Sequence, residues 1–349
     1  MKGIGLVFAG GGGKGSYEIG VWKYLHEIGL DQYVRAVSGT SVGALNAALF
    51  VGSNYEIAEN LWTNINQEKI LTPKGVSAED IMKWLVTNGF NVYSPITKGV
   101  SKIIAGTTLG TEKIAQALIT KMNGDHMFSR DGLKDMIMDG MNFQYFCSSE
   151  IDCFVTCLRC NGLKIERFKL NQYSDQDITK LLLASSAIPV IFPNEEFQGN
   201  KYCDGGIPFV GDNVPVKPVY DTGVENIIVI HLSQDSIIDI EKFSNSKIIE
   251  IVPSRNLGNA ISGTLDFSPE GALCRIQLGY DDAKKVLQPM VEMIKLTVAN
   301  QRMLKIAYQK NIEFERKRQT LLNNENVIKE QMEHDGFEEL YEHLIKENK

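Results

Sequence analysis

Residues 34–52 read VRAVSGTSVGALNAALFVG. A strand-like run ends near Val37, and an alanine- and leucine-rich helical run begins at Val42. Between them, Gly39-Thr40-Ser41-Val42-Gly43 fits G-x-S-x-G, the pattern of a sharp strand-to-helix turn that presents a serine hydroxyl. The residues two positions away on either side must be small there, because their Cβ atoms would collide across the turn. The N-terminus of the following helix also favours developing negative charge at the serine. A plain turn that happens to hold a serine has the same five letters, so the surroundings decide.

Upstream, KGIGLVFA (2–9) is a short buried strand, and the glycine tract Gly10–Gly15, interrupted by Lys14, follows it. SYEIGVWKYLHEIGL (16–30) then places Ile19, Trp22, Leu25 and Ile28 at helical spacing and stops at Gly29. The order strand, loop, helix, strand, turn, helix opens a parallel α/β sheet. Gly10, Gly12 and Gly15 satisfy the dinucleotide pattern G-x-G-x-x-G. The acidic residue that pattern needs at the end of the second strand is missing, because the serine turn stands there. A P-loop reading fails too: Phe8 occupies the first glycine position and Gly15, not Ser or Thr, follows Lys14. What remains is a row of backbone N–H groups at a helix start, which holds an oxyanion as readily as a phosphate.

A third segment, CDGGIPFVGDNVP (203–215), sets Asp204 before Gly205-Gly206. An acid at a glycine turn is by itself most often a turn former. With an exposed serine and a loop of amides it completes the parts of acyl transfer.

The rest of the chain narrows the class. A net charge of −7 argues against a general nucleic-acid binder. No run approaches the roughly 20 apolar residues of a membrane span, and the opening MK runs directly into a glycine-broken strand. The expectation is a cytoplasmic protein, peripheral to a membrane at most. The six cysteines form no secreted disulfide framework. Cys157 and Cys160 make a C-x-x-C without a second pair, and no metal or cofactor is expected. His231 follows Ser41 and Asp204 in the order of a Ser–Asp–His hydrolase, but it lies inside NIIVIHLS (226–233), a strand rather than a loop.

Residues 55–135 read as mostly helical. Within them, 95–122 spaces apolar residues between Lys98, Lys102, Lys113 and Lys121, a candidate mobile cap if it does not simply pack on the core. Residues 151–170 form a hairpin around Asn161-Gly162. DITKLLLASSA (177–187) is helical and stops before Pro189. Ser268-Pro269-Glu270 starts a helical C-terminal region, with a break expected at Pro289 and a surface that could support a homodimer.

Taken together, the glycine loop ending in Lys14-Gly15, GTSVG, ASSAIPVIFP (184–193), and Asp204-Gly205-Gly206 with Asn213 and Pro215 downstream resemble the patatin-like phospholipase family over about residues 3–235. LDFSPEG (265–271) and LGYDDA (278–283) look like extensions of bacterial members. The resemblance implies an α/β protein with a three-layer α/β/α patatin-like fold, a mainly parallel central sheet and an added C-terminal helical region. It implies a lipase domain over 1–235, including the helical cap candidate 55–135, and a mostly helical extension over 236–349. It implies a lipid acyl hydrolase with a Ser–Asp dyad: Ser41 as nucleophile, Asp204 as base, and the amides of Gly11, Gly12 and Gly13 around the oxyanion. Lys14 would hold loops together. The substrate would be a lipid or a membrane surface. Two alternatives stay open: an esterase or thioesterase for small soluble esters, and a catalytically silent lipid-binding or scaffold protein.

Overall fold

The computed structural model describes residues 3–65, 67–70, 128–189, 191–207, 210–334 and 336–347. The cap candidate 95–122 lies outside them, as does most of the helical stretch 55–135. The chain divides into two compact units, Met1–Leu287 and Gln288–Lys349.

The first unit is built on an eight-stranded sheet. Its strands are β1 (Ile4–Phe8), β2 (Val34–Thr40), β3 (Asp152–Arg159), β4 (Lys164–Lys169), β5 (Glu195–Phe197), β6 (Asn200–Asp204), β7 (Asn226–Ile230) and β8 (Lys247–Ile251). They lie in the order β5-β6-β3-β2-β1-β7-β8, with β4 also paired to β3. The run β3-β2-β1-β7-β8 is parallel, whereas β4, β5 and β6 pair antiparallel. The fold is therefore α/β with a mostly parallel sheet.

The period of two along each strand divides the core. Leu6, Phe8, Val37, Ile228 and Ile230 face one cluster, with Tyr17 and Ile19 of α1 (Ser16–Glu27), Leu45 of α2 (Val42–Gly52) and Leu181 of a later helix, Asp175–Ser185. Val7, Ala36, Ile227 and Val229 face a second cluster around Val216 and Val219 of the short helix Val216–Asp221. Both faces are covered, as a parallel sheet requires. Helices α3 (Tyr55–Thr63), α4 (Gln67–Ile70), α5 (Asp131–Gly140) and α6 (Phe143–Ser148) lie between β2 and β3 in sequence; the Asp175–Ser185 and Val216–Asp221 helices are α7 and α8. The hairpin β3–β4 turns at Gly162, whose φ is +83°.

The long helix α9 (Pro269–His334) starts in the first unit, and its residues from Gln288 on belong to the second, with α10 (Phe337–Glu347). The break expected at Pro289 is absent from α9. Lys285, whose carbonyl loses its intrahelical partner to the proline, is exposed, so solvent can serve the freed oxygen and the helix continues.

The start of α9 crosses α1 at backbone contact. A Cβ on Gly20 would sit 1.9 Å from Ile276 O, and one on Gly279 would sit 2.0 Å from Tyr17 O. Polar contacts flank the crossing: Tyr17 OH donates to Asp282 at 3.0 Å, and Arg275 Nε donates to Ser16 Oγ at 3.1 Å. Helix propensity alone would favour Gly279→Ala by about 1 kcal/mol. The clash meets rigid backbone, so we expect net destabilisation of about 1–3 kcal/mol, read as a lowered urea midpoint. An unchanged or raised midpoint would show that the helices can part freely.

Candidate active site

Strand β2 ends at Thr40 and α2 starts at Val42, so Ser41 carries the whole change of direction. Its backbone sits at φ 56°, ψ −128°. Among the described residues only Leu163 and Gln198 are other non-glycines at positive φ, and both occupy hairpin turns. Strain of this kind persists only where the surroundings enforce it. Here they do. A Cβ on Gly39 would lie 2.2 Å from Gly43 O, and one on Gly43 would lie 2.4 Å from Phe8 O. Thr40 Oγ1 donates to Asp212 O at 2.7 Å, and Val42 packs where a Cβ on Gly15 would reach it at 2.7 Å. The Ser41 N–H donates to Ser185 Oγ at 2.9 Å. Ser41 itself is buried, with 3% of its surface exposed.

The register of β3 explains how a distant aspartate arrives. Thr40 of β2 pairs with Thr156, and the next residue of β3, Cys157, pairs with Asp204 of β6. Cys157 also pairs with Glu166 of β4 on the other edge. Strands β2 and β6 therefore share one edge of β3, end to end, and Ser41 and Asp204 meet at the seam. Gly205 turns the chain away under Thr156, whose carbonyl would be 2.3 Å from a Cβ there.

Asp204 Oδ1 accepts from the Gly206 N–H at 2.7 Å. Oδ2 is buried without a hydrogen bond of full geometry, although the Ser41 hydroxyl is close enough to act on the carboxyl. Burial lifts the carboxyl from 3.8 to about 6; the Ser41 hydroxyl, the Gly206 N–H and the Arg130 charge oppose that rise. Arg130 is itself buried, bonded to Glu195 Oε1 at 2.7 Å and to Leu183 O, with its guanidinium 5.9 Å from the Phe192 ring.

The glycine loop closes the third side. Its first turn is Lys14 N–H to Gly11 O at 3.4 Å, so the amides of Gly11, Gly12 and Gly13 precede the turn and are not used within it. Gly10 is clamped from both sides: its N–H donates to Asn213 O at 3.0 Å, and Asn213 Nδ2 donates to Gly10 O at 3.1 Å. A Cβ on Gly206 would lie 2.3 Å from Asn213 Oδ1, so Asn213 joins the loop that carries the glycines to the one that carries the acid. Over the loop lies a strap from beyond β8: Thr264 O would be 2.1 Å from a Cβ on Gly12, and Asp266 O 2.0 Å from one on Gly13. Buried Lys14 runs its stem beneath this strap at Gly263, and its ammonium pKa is lowered by burial and by Arg275.

Ser41 and Gly12 line an apolar cavity of about 30 Å³ with Leu45, Leu133, Phe192 and Phe267. Phe267 comes from the strap and stacks on Trp62, ring centroids 6.4 Å apart. The site thus joins a strained serine, a buried carboxylate, a row of amides and an apolar recess.

Ser185, Asn213, Arg130 and Phe267 received no site role from sequence reasoning. Asn213 and Ser185 lay inside quoted motifs, but only spatial neighbours reveal their partners. His231 follows β7, buried, with Nε2 2.8 Å from Glu250 Oε2. Cys157 Sγ points to Leu181 O at 3.6 Å, whereas Cys160 interacts with Cys203, so the two thiols of the C-x-x-C have different neighbours. Among the described residues no group of three His, Cys, Asp or Glu side chains could hold a metal ion, and no helix is long and apolar enough to cross a membrane.

The family model described as patatin-like phospholipase matches residues 6–220. The chain is 22% identical over 260 residues to lysophospholipase NTE1 of Cryptococcus neoformans var. neoformans, a match covering 74% of this chain and 12% of that protein. Among solved structures it is similar to VipD from Legionella pneumophila, with TM-score 0.49, 17% identity and coverage of 83% of this chain and 67% of that one. It is also similar to the type III effector ExoU of Pseudomonas aeruginosa, with TM-score 0.41, 17% identity and coverage of 83% and 53%. The elbow, the glycine loop and the acid-bearing strand all fall inside the matched segment, and the chain belongs to the patatin-like phospholipase family.

Proposed function

We propose that this protein hydrolyses carboxylic ester bonds of phospholipids or lysophospholipids through an acyl-enzyme formed on Ser41. The observation that carries the reading is the seam on β3, where the strained serine and the buried Asp204 meet. Ser41 Oγ attacks the ester carbonyl carbon while its proton passes to Asp204 Oδ2. The carbonyl electron pair moves onto oxygen, where the amides of Gly11, Gly12 and Gly13 receive it. Collapse of the adduct breaks the ester C–O bond, and the departing alcohol takes the proton back from Asp204. Water then gives a proton to the same carboxylate and attacks the acyl-serine; collapse breaks the bond to Ser41 Oγ, which takes that proton from Asp204 as the fatty acid leaves. A carboxyl poised near 6 suits both directions of transfer better than one at 3.8. The apolar recess beside Ser41 would take the start of the acyl chain. The protein would work at a lipid surface, docked from the aqueous side.

A second reading keeps the same chemistry on short soluble esters or thioesters, whose acyl groups the apolar recess beside Ser41 would also take. One experiment separates them. Purified protein is given phospholipid and lysophospholipid vesicles and, in parallel, p-nitrophenyl esters of graded chain length, with fluorophosphonate labelling as a chemistry-only control. Fatty acid release from vesicles, with labelling of Ser41, is the expected result. Turnover confined to short soluble esters would transfer the assignment to the second reading. No turnover and no labelling would leave a silent lipid-binding protein.

A further inference from the structure

We propose that Ser185 is a positioning residue of the ester hydrolysis, holding the backbone of Ser41 at the seam of β3 so that its hydroxyl stays aimed at Asp204. The inference rests on Ser41 and Asp204 being the reacting pair. Ser185 ends α7 and is completely buried. Its one hydroxyl proton is donated to Thr156 O at 2.7 Å, and its oxygen accepts the Ser41 N–H at 2.9 Å. The single proton settles both directions: the oxygen is left free to accept from the nucleophile's own amide.

The two partners are significant. The Ser41 N–H stands before the first hydrogen-bonded turn of α2 and has no helical acceptor. The Thr156 carbonyl lies where β2 and β6 both end, because Thr156 pairs with Thr40 and Cys157 pairs with Asp204. One side chain thus ties the strained elbow to the junction that also sets the carboxylate. The end of α7 is held in turn by Arg130, bonded to Leu183 O, and by the Asp204 N–H, which donates to Ala187 O at 2.9 Å just beyond the helix. Without the Ser185 hydroxyl, a buried N–H and a buried carbonyl each lose this hydrogen bond, and the elbow has a reason to relax toward an unstrained conformation. The Ser41 N–H is already donated to Ser185 Oγ, so the loss should appear in the chemical step rather than in binding.

The test uses the full chain as wild type, Ser185→Ala, Ser185→Thr and Ser185→Cys. It reads kcat and KM for a short p-nitrophenyl ester, the second-order rate of fluorophosphonate labelling, the pH profile of kcat/KM, and Tm. Ser185→Ala is expected to lower kcat and the labelling rate about 100-fold, the scale of a displacement near 1 Å, with KM changed less than about twofold. Its acid limb should move to higher pH, because a displaced Ser41 hydroxyl no longer opposes the effect of burial on Asp204. A merely structural role would not move that limb. Ser185→Thr, which keeps the hydroxyl, should recover most of the rate. If Ser185→Ala does not fold, Ser185→Cys serves: it keeps the size and weakens the acceptor, and a loss of at least about tenfold at unchanged Tm is expected. Wild-type labelling rate and pH profile in Ser185→Ala, or in Ser185→Cys where that variant stands in, would overturn the inference while leaving Ser41 as nucleophile. A wild type that neither turns over nor labels would overturn the esterase reading itself, and this inference with it.

Discussion

Ser41→Ala is expected to lower ester hydrolysis by about 10⁴-fold or more and to abolish fluorophosphonate labelling, with the fold intact. The size follows from the chemistry: without Oγ there is no acyl-enzyme, and the glycine amides can only help water attack directly. The same assay on His231→Gln should keep activity of the wild-type order, because His231 is engaged with Glu250 and no contact links it to Ser41. Residual turnover above about 1% in Ser41→Ala, or a loss of similar size in His231→Gln, would refute the dyad and revive a triad.

Asp204→Asn is expected to move activity and stability in opposite directions. Activity should fall about 10²–10⁴-fold, the usual share of a general base. Stability should rise. The folded carboxyl sits at about 6 against an ordinary 3.8, so the protein disfavours its charged form. Below about pH 3 the group is neutral folded and unfolded, and burial carries no electrostatic penalty. As pH climbs through 4 to 6 the unfolded chain ionises first, and above 6 the folded protein bears the full penalty, about 3 kcal/mol. Asn stays neutral throughout. The variant should therefore be more stable than wild type by up to that amount at pH 8, with the gain vanishing at about pH 3, as read by chemical denaturation across pH. In wild type, kcat/KM should fall about tenfold for each pH unit below 6, since a protonated Asp204 cannot accept the serine proton. An acid limb near pH 4, or an Asn variant no more stable at pH 8, would mean that the carboxyl is better solvated than its burial indicates.

The parts legible in the sequence were those that backbone sterics write into a few adjacent letters. Gly39 and Gly43 have no room for a side chain, so G-x-S-x-G announced the elbow. The tract Gly10–Gly15 announced a row of amides for the same reason. Asp204 was legible as an acid at a turn, but its strand was not: NKYCD is five residues long and begins half exposed, so it carries little periodicity. Its placement comes from pairing with β3, more than forty positions away in sequence. Ser185 and Asn213 are long-range in the same way; each makes hydrogen bonds to a loop far along the chain, and no local pattern records that. The crossing of α1 and α9 depends on Gly20 and Gly279, which read locally as weak points in helices rather than as contact surfaces. The continuation of α9 past Pro289 was missed because an exposed turn tolerates what a buried one would not.

Because β2 and β6 both lean on one edge of β3, no hinge separates Ser41 from Asp204. If the two react as proposed, the sheet fixes where their chain segments meet and Ser185 fixes the elbow. A variant that keeps the pairing of β2 and β6 with β3 yet loses turnover has then lost either entry or the side-chain support of the elbow that Ser185 gives.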